Sequence, residues 1–131
     1  MKNSKTNTIF TVARALMGIT FLIAGLHKIM AWEGPAAWMA SKGIPMVTIL
    51  LGMATFIEIV GALLLLVNQK VKWTSLILAI FLLVVTVSMH TFWNMDGMMF
   101  QAAFLDFIQN IAIIGGLLGL AVADQKITKS N

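Results

Sequence analysis

Four long apolar runs dominate this chain of 131 residues and constrain its fold more than any other feature. Each run is about as long as the roughly 20 residues that a helix needs to cross the hydrocarbon core of a bilayer. None shows the sustained alternation of a membrane strand. With 60% hydrophobic and 11% charged residues, the chain is too apolar for a soluble domain of its size. The sequence therefore predicts an all-α integral membrane protein, a single domain over residues 1–131, in which four transmembrane helices form a bundle and cover Thr8–Met30, Pro45–Val67, Trp73–Phe92 and Gln101–Ala123.

Basic residues are distributed unevenly between the two ends of these runs. One end carries Lys2, Lys5, Arg14, Lys70, Lys72, Lys126 and Lys129, whereas the other carries Lys28 and Lys42. Because cytoplasmic loops of membrane proteins are enriched in lysine and arginine, both termini are predicted to be cytoplasmic. The same bias accounts for the net charge of +4. We therefore expect the lipid bilayer, and not a nucleic acid, as the partner of the basic residues.

The segment "AWEGPAAWMASKGIP" joins the first two runs and allows two interpretations. It contains two tryptophans, which are typical of membrane interfaces. It is either a short helix that lies flat on the membrane or a plain loop anchored by its tryptophans.

Glu58 lies near the middle of the second run, where an unpaired charge costs on the order of 3 kcal/mol. Small residues share its helical face, so Glu58 is expected to point into the bundle. Counting about 1.5 Å per residue from the boundaries of the runs places Arg14 of the first run within reach. We therefore predict an ion pair between Arg14 and Glu58. Two alternatives stay open: Arg14 extends to the interface instead, and Glu58 is either a structural pairing residue or a proton or ligand site.

A second set of polar residues lies near the predicted outer side. His90 lies near the end of the third run and Asp106 near the start of the fourth, where Gln109 and Asn110 follow at helical spacing. Lys28 reaches the same layer from the first run. Such a set could bind a polar head group and exchange protons with it. Alternatively, His90 is an interfacial histidine and Asp106 complements the helix dipole. The candidate catalytic residues are Glu58, His90 and Asp106; the candidate ligand-binding residues are Arg14, Lys28, Glu58, His90, Asp106, Gln109 and Asn110.

Four segments of the chain resemble the successive motifs of the DoxX family of small bacterial membrane proteins. They are "RALMGITFLIAGLHK", "EIVGALLLLV", "HTFW" and "QNIAIIGGLLGL", and the resemblance extends from about Thr8 to Ala123. It implies a four-helix bundle of the inner membrane. The residues on family motif positions are Arg14, Gly18, Gly25, Lys28, Glu58, Gly61, His90 and Asn110. One departure is Gln109, which stands where the family commonly has a lysine, so that this position can offer hydrogen bonds but no charge.

The resemblance also implies a redox setting, because the family takes its name from the small subunit of a thiosulfate:quinone oxidoreductase. The chain has no cysteine and therefore cannot exchange disulfides itself. Two histidines without a cysteine or an HxxE pair do not indicate a metal site, and methionine, present ten times, is a common gap filler that does not by itself indicate copper. Any redox role would thus require a bound quinone or a redox partner subunit.

Two functions follow from these considerations. The first is a redox-associated accessory subunit that binds a quinone-like or other small lipophilic ligand in the polar interior of the bundle, with Glu58 and His90 as proton carriers; an enzymatic role would be that of an oxidoreductase subunit. The second is a non-enzymatic assembly partner or small carrier, in which the pair of Arg14 and Glu58 is purely structural. Gly115, Gly116 and Gly119 on the fourth run could serve packing within the bundle or the contact of a homo-oligomer.

Overall fold

The structure is a computed structural model that describes residues 2–130, with side chains from residue 7 onward. The side chains of Lys2 and Lys5, which the topology prediction uses, lie outside this part. Within it every regular element is a helix, and the helices are α1 (Lys2–Met30), α2 (Glu33–Ser41), α3 (Val47–Leu66), α4 (Val71–Met89) and α5 (Gly97–Ser130). Four of them, α1, α3, α4 and α5, are long and apolar enough to cross a membrane. The predicted fold class, an all-α membrane protein with four transmembrane helices, is confirmed.

The ends of the last two membrane helices differ from the predicted ones. Helix α4 ends at Met89, three residues early, and an irregular segment follows until Gly97, whose φ of 61° suits glycine, begins α5. Helix α5 continues to Ser130 because no glycine or proline interrupts the polar residues after Ala123. Its 34 residues span about 51 Å, which exceeds the roughly 30 Å of hydrocarbon. The polar end of α5 therefore extends past the hydrocarbon core.

The segment between α1 and α3 contains a short helix, as one of the two interpretations proposed, and that this helix lies flat on the membrane stays a prediction. Helix α2 has no fully buried residue. It is held to the bundle by Trp38, whose indole Nε1 donates a hydrogen bond to the carbonyl oxygen of Met89 at 3.2 Å. This contact places α2 beside the end of α4.

Glycines permit the close approach of α1 to α3. A Cβ atom on Gly18 would lie 2.8 Å from Leu66 Cγ, and one on Gly25 would lie 2.6 Å from Ile59 Cγ1. These two contacts also fix the relative direction of the helices, because the later residue of α1 meets the earlier residue of α3. Helices α1 and α3 are therefore antiparallel and packed with little space between their backbones, as small residues allow in membrane bundles.

The remaining helices complete a four-helix bundle. Helix α3 contacts α4, α4 packs extensively against α5, and α5 returns to α1. Gly61 of α3 faces Leu78 of α4, and Gly116 of α5 faces Met17 of α1. The start of α1 and the end of α5 consequently lie at one end of the bundle, here called the terminal end, and α2 lies at the other, the α2 end. The cytoplasmic location of the terminal end stays a prediction.

Polarity is distributed as expected for a bundle surrounded by lipid. Large apolar side chains are exposed on the outer faces of the membrane helices, including Leu16, Phe56 and Ile80. Several polar side chains are buried, including Thr55, Glu58 and Thr86, together with an apolar core around Leu65, Leu78 and Leu117. An exposed apolar belt of this kind requires a lipid environment. The bilayer is therefore the surrounding medium of the four long helices.

Candidate functional site

The Glu58 carboxylate is paired inside the bundle by Lys28. The Lys28 ammonium nitrogen donates a hydrogen bond to Glu58 Oε1 at 3.0 Å and lies 2.9 Å from Oε2. The Glu58 side chain is 7% exposed, and that of Lys28 is 25% exposed. A buried carboxylate of this kind needs a charged partner, and Lys28 supplies it.

The predicted ion pair between Arg14 and Glu58 is therefore wrong. The Arg14 guanidinium Nη1 instead donates hydrogen bonds to the carbonyl oxygens of Leu65 and Leu66, the latter at 2.9 Å. These carbonyls belong to the last turn of α3, where the regular helical hydrogen bonds end, although the Leu65 oxygen also accepts one from the backbone N–H of Asn68 at 3.3 Å. The negative end of the helix dipole also favours a cation there.

The error of the prediction lies in the register between α1 and α3. Gly25 packs beside Glu58, and Lys28 follows one helical turn later. Arg14 lies level with Leu65, which is about 10 Å from Glu58 along α3 at 1.5 Å per residue. Lys28 is consequently the nearer cation.

A cleft of about 330 Å³ lies at the α2 end of the bundle. Its polar side chains are His90 and Asp106, with His90 Nδ1 3.8 Å from Asp106 Oδ2. The remaining lining residues are apolar or amphipathic: Trp38, Met89, Met95, Met99, Ala102 and Ala103. The volume is at the lower end of the range for small-molecule sites.

Three elements position the lining side chains. His90 directly follows α4, and its backbone N–H still bonds to the carbonyl oxygen of Thr86 at 3.1 Å. Asp106 faces it from the third turn of α5. Trp38 covers the cleft from α2 and is fixed by its bond to Met89. The site thus depends on the docking of α2 as well as on the pairing of α4 with α5.

An aromatic cluster orders the irregular segment beside this cleft. The ring of Phe92 lies between 5.2 and 5.7 Å from the rings of four neighbours in edge-to-face geometry. These neighbours are Trp93, Phe100, Phe104 and Phe107. Such pairs contribute beyond their buried area. They hold the segment between His90 and α5 in place.

The surroundings of His90 favour the neutral form of its imidazole. Burial lowers the pKa of His90, the Asp106 carboxylate raises it, and the Lys28 and Lys42 ammonium groups lower it again, with a net shift downward. A neutral imidazole can both donate and accept a hydrogen bond. His90 is therefore suited to exchange a proton with a polar group in the cleft.

The other predicted site residues do not line the cleft. Lys28 and Glu58 pair with each other, and Arg14 binds the end of α3. On α5, Gln109 is exposed and Asn110 is half-buried, and neither belongs to the cleft. The structure thus brings together His90 and Asp106 from the predicted set.

Six residues of the cleft were not among the predicted site residues: Trp38, Met89, Met95, Met99, Ala102 and Ala103. In the sequence, these residue types indicated interfacial anchoring or packing and were therefore not assigned to a site. A signal was present in the sequence, since Trp38 and the three methionines all fall near the predicted outer ends of the runs.

Comparison with known proteins gives matches to one family. The DoxX family model matches residues 9–91, which cover α2, α3, α4 and most of α1. The chain is 27% identical over 114 residues to the inner membrane protein YphA of Escherichia coli (strain K12), covering 87% of this chain and 81% of that protein. It is 31% identical over 113 residues to the inner membrane protein YqjF of the same organism, covering 85% and 80% respectively. No solved structure matches the chain.

Proposed function

Because this chain belongs to the DoxX family and is a multi-pass protein of the bacterial inner membrane, we propose that it is a redox-associated accessory subunit that binds a quinone-like or other small lipophilic ligand. The observation that supports this proposal is the cleft at the α2 end, where His90 and Asp106 face apolar walls. The polar interior around Glu58 is not part of this cleft. We therefore propose the cleft, and not the centre of the bundle, as the ligand site.

The side chains of the cleft fit a quinone head group. Such a ring is flat and apolar and carries carbonyl oxygens that accept hydrogen bonds. Trp38 and the methionines offer flat and adaptable apolar contacts, and His90 offers a donor. When bound, a quinone would supply reversible uptake of electrons and protons, which the side chains of this chain do not provide.

The roles of the residues follow from their chemistry. His90 would donate a hydrogen bond to the ligand and hold or release a proton at its imidazole. Asp106, whose carboxylate is 55% exposed, would accept that proton or stabilise the protonated imidazole. Trp38 would cover the head group. The electrons would come from a redox partner subunit.

Ligand binding is tested by native mass spectrometry of protein purified in mild detergent and incubated with a short-chain ubiquinone. Wild type is expected to retain one quinone, and His90→Ala and Asp106→Asn to lose it while remaining folded. His27→Ala and Asp96→Asn remove the same side-chain types from exposed positions outside the cleft and should bind as wild type does. Equal retention in all variants, or none in wild type, would contradict the proposal.

A second candidate is a non-enzymatic assembly partner or small carrier. One observation favours it: the charge of Glu58 is already compensated by Lys28 and is buried away from the cleft. In this case the intramembrane ion pair is structural, and it replaces the pair of Arg14 and Glu58 in the earlier hypothesis. Glu58→Gln would then lower stability without changing the ligand content of the purified protein.

A further inference from the structure

A second cleft, of about 290 Å³, lies at the opposite end of the bundle, between the start of α4 and the end of α5. We call it the terminal cleft. Three lysines line it, Lys70 and Lys72 from α4 and its preceding turn and Lys129 from α5. Its lining residues differ from those of the cleft beside His90, because it contains lysines where that cleft contains methionines.

The terminal cleft lies at the level of lipid head groups. Trp73, in the first turn of α4, lines it and is exposed, as expected for an indole at the membrane interface. The Asp124 carboxylate accepts a hydrogen bond from the backbone N–H of Lys72 at 3.0 Å, which aligns this part of α5 with the start of α4. Because the 19 residues of α4 span about 28 Å, its first turn lies near one boundary of the hydrocarbon core.

The charge of the terminal cleft is positive and largely uncompensated. Its three ammonium groups face a single carboxylate, that of Asp124, which already accepts the hydrogen bond from the backbone of α4. In the described part of the chain, Lys70 and Lys129 form no ion pair. Lys72 lies over the ring of Trp73, with its nitrogen 4.9 Å from the ring centroid. Two cations therefore remain available to an anion.

The terminal cleft also offers neutral hydrogen-bond donors. The hydroxyl group of Thr128 and the amide of Gln125 line it together with the lysines. A phosphodiester presents one negative charge and several acceptor oxygens, which this set of donors matches. A zwitterionic head group adds a cation that the lysines would repel.

We propose that the terminal cleft binds the phosphate head group of an anionic phospholipid. Its acyl chains would follow the exposed apolar faces of α4 and α5, while Lys70 and Lys129 contact the phosphate. This site is separate from the proposed quinone site and lies about the length of α4 away from it.

The proposal is tested by native mass spectrometry of lipid adducts after exchange into micelles that contain phosphatidylglycerol or phosphatidylcholine. Wild type is expected to retain phosphatidylglycerol preferentially. Because a lysine near a membrane surface contributes about a fivefold increase in affinity for anionic lipid, Lys129→Gln should lower retention about fivefold, and Lys70→Gln combined with Lys129→Gln about 25-fold.

Lys126→Gln is the matched control, since Lys126 is an exposed lysine of α5 outside the cleft. It removes the same charge from the same end of α5, so a general effect of charge appears in it too, and Lys129→Gln should lower retention clearly more than Lys126→Gln does. An equal loss in Lys126→Gln and Lys129→Gln would show a general effect of charge and overturn the proposal, as would equal retention of the two lipids. Displacement of the lipid by millimolar inorganic phosphate would identify a free-phosphate site instead and would also overturn it. Quinone retention, measured in the same samples, reports separately on the cleft beside His90.

Discussion

Replacing Lys28 by methionine removes the partner of a buried carboxylate and leaves the hydrocarbon part of the side chain in place. The Lys28 nitrogen lies within 3.0 Å of both Glu58 oxygens, and the Glu58 side chain is 7% exposed. Breaking a buried pair by removing one partner costs roughly 3–5 kcal/mol of unfolding free energy. Because a quarter of the Lys28 side chain is exposed, we expect a loss at the lower end, about 3 kcal/mol.

A double-mutant cycle identifies the partner of Glu58 directly. Unfolding would be measured by circular dichroism in mixed micelles with increasing denaturing detergent. Lys28→Met and Glu58→Gln should couple by about 2 kcal/mol, so that the double variant is less destabilised than the sum of the single ones. Arg14→Met and Glu58→Gln should be additive within about 0.5 kcal/mol, since these residues lie about 10 Å apart along the bundle. Strong coupling of Arg14 with Glu58, or none for Lys28, would refute this account of the interior.

Two further predictions concern the packing of α1 and the pH dependence of stability. Gly25→Leu should lower the unfolding free energy by about 1–3 kcal/mol, because its Cβ would lie 2.6 Å from Ile59 Cγ1. The same change at Gly115, where a Cβ would meet nothing within 4 Å, should be nearly neutral, and equal losses at both positions would contradict the described packing. Since the pKa of His90 is lowered in the folded protein, the unfolded chain binds more protons below about pH 6.5, and the unfolding free energy should fall as the pH decreases through that value. His90→Gln should reduce this fall in pH-dependent unfolding experiments, with His27→Gln as the control, and an unchanged slope would show that another group titrates.

The membrane fold could be predicted from the sequence because hydrocarbon imposes simple requirements. An apolar run of about 20 residues has few alternatives to a spanning helix. The small residues that share a helical face with Glu58 predicted that another helix backbone comes close, and a Cβ on Gly18 of α1 would lie 3.2 Å from the carbonyl oxygen of Ala62. The length of α5 was harder to predict, since its polar end leaves the membrane and no longer carries an apolar pattern.

The contacts inside the bundle could not be predicted by counting residues along single helices, because they depend on how the helices are shifted against one another. Arg14 and Lys28 lie on one face of α1. A shift of α1 along α3 by about two turns would bring Arg14, instead of Lys28, level with the Glu58 carboxylate. The shift is set by the fit of Gly18 and Gly25 against α3, which is a property of packed side chains. The carbonyl oxygens at the end of α3 were also overlooked as partners of Arg14, although every helix end offers such groups.

The candidate site likewise combines residues that the sequence predicted with a residue that only the tertiary structure brings in. His90 and Asp106 were brought together by spacing and depth, which the sequence provides, and they lie 3.8 Å apart. Trp38 enters the cleft through the docking of α2 on Met89, a contact between residues 51 positions apart in the chain. Contacts of this kind are decided by tertiary structure.

Photolabelling with an azido-quinone, followed by peptide mapping, tests the central claim most directly because it reports where the ligand binds. The account predicts crosslinks to Trp38 and to the segment from Met89 to Met99, and their suppression by excess unlabelled quinone and by His90→Ala. Crosslinks spread over the exposed apolar faces of the bundle, or concentrated elsewhere and insensitive to His90→Ala, would contradict a quinone site in this cleft.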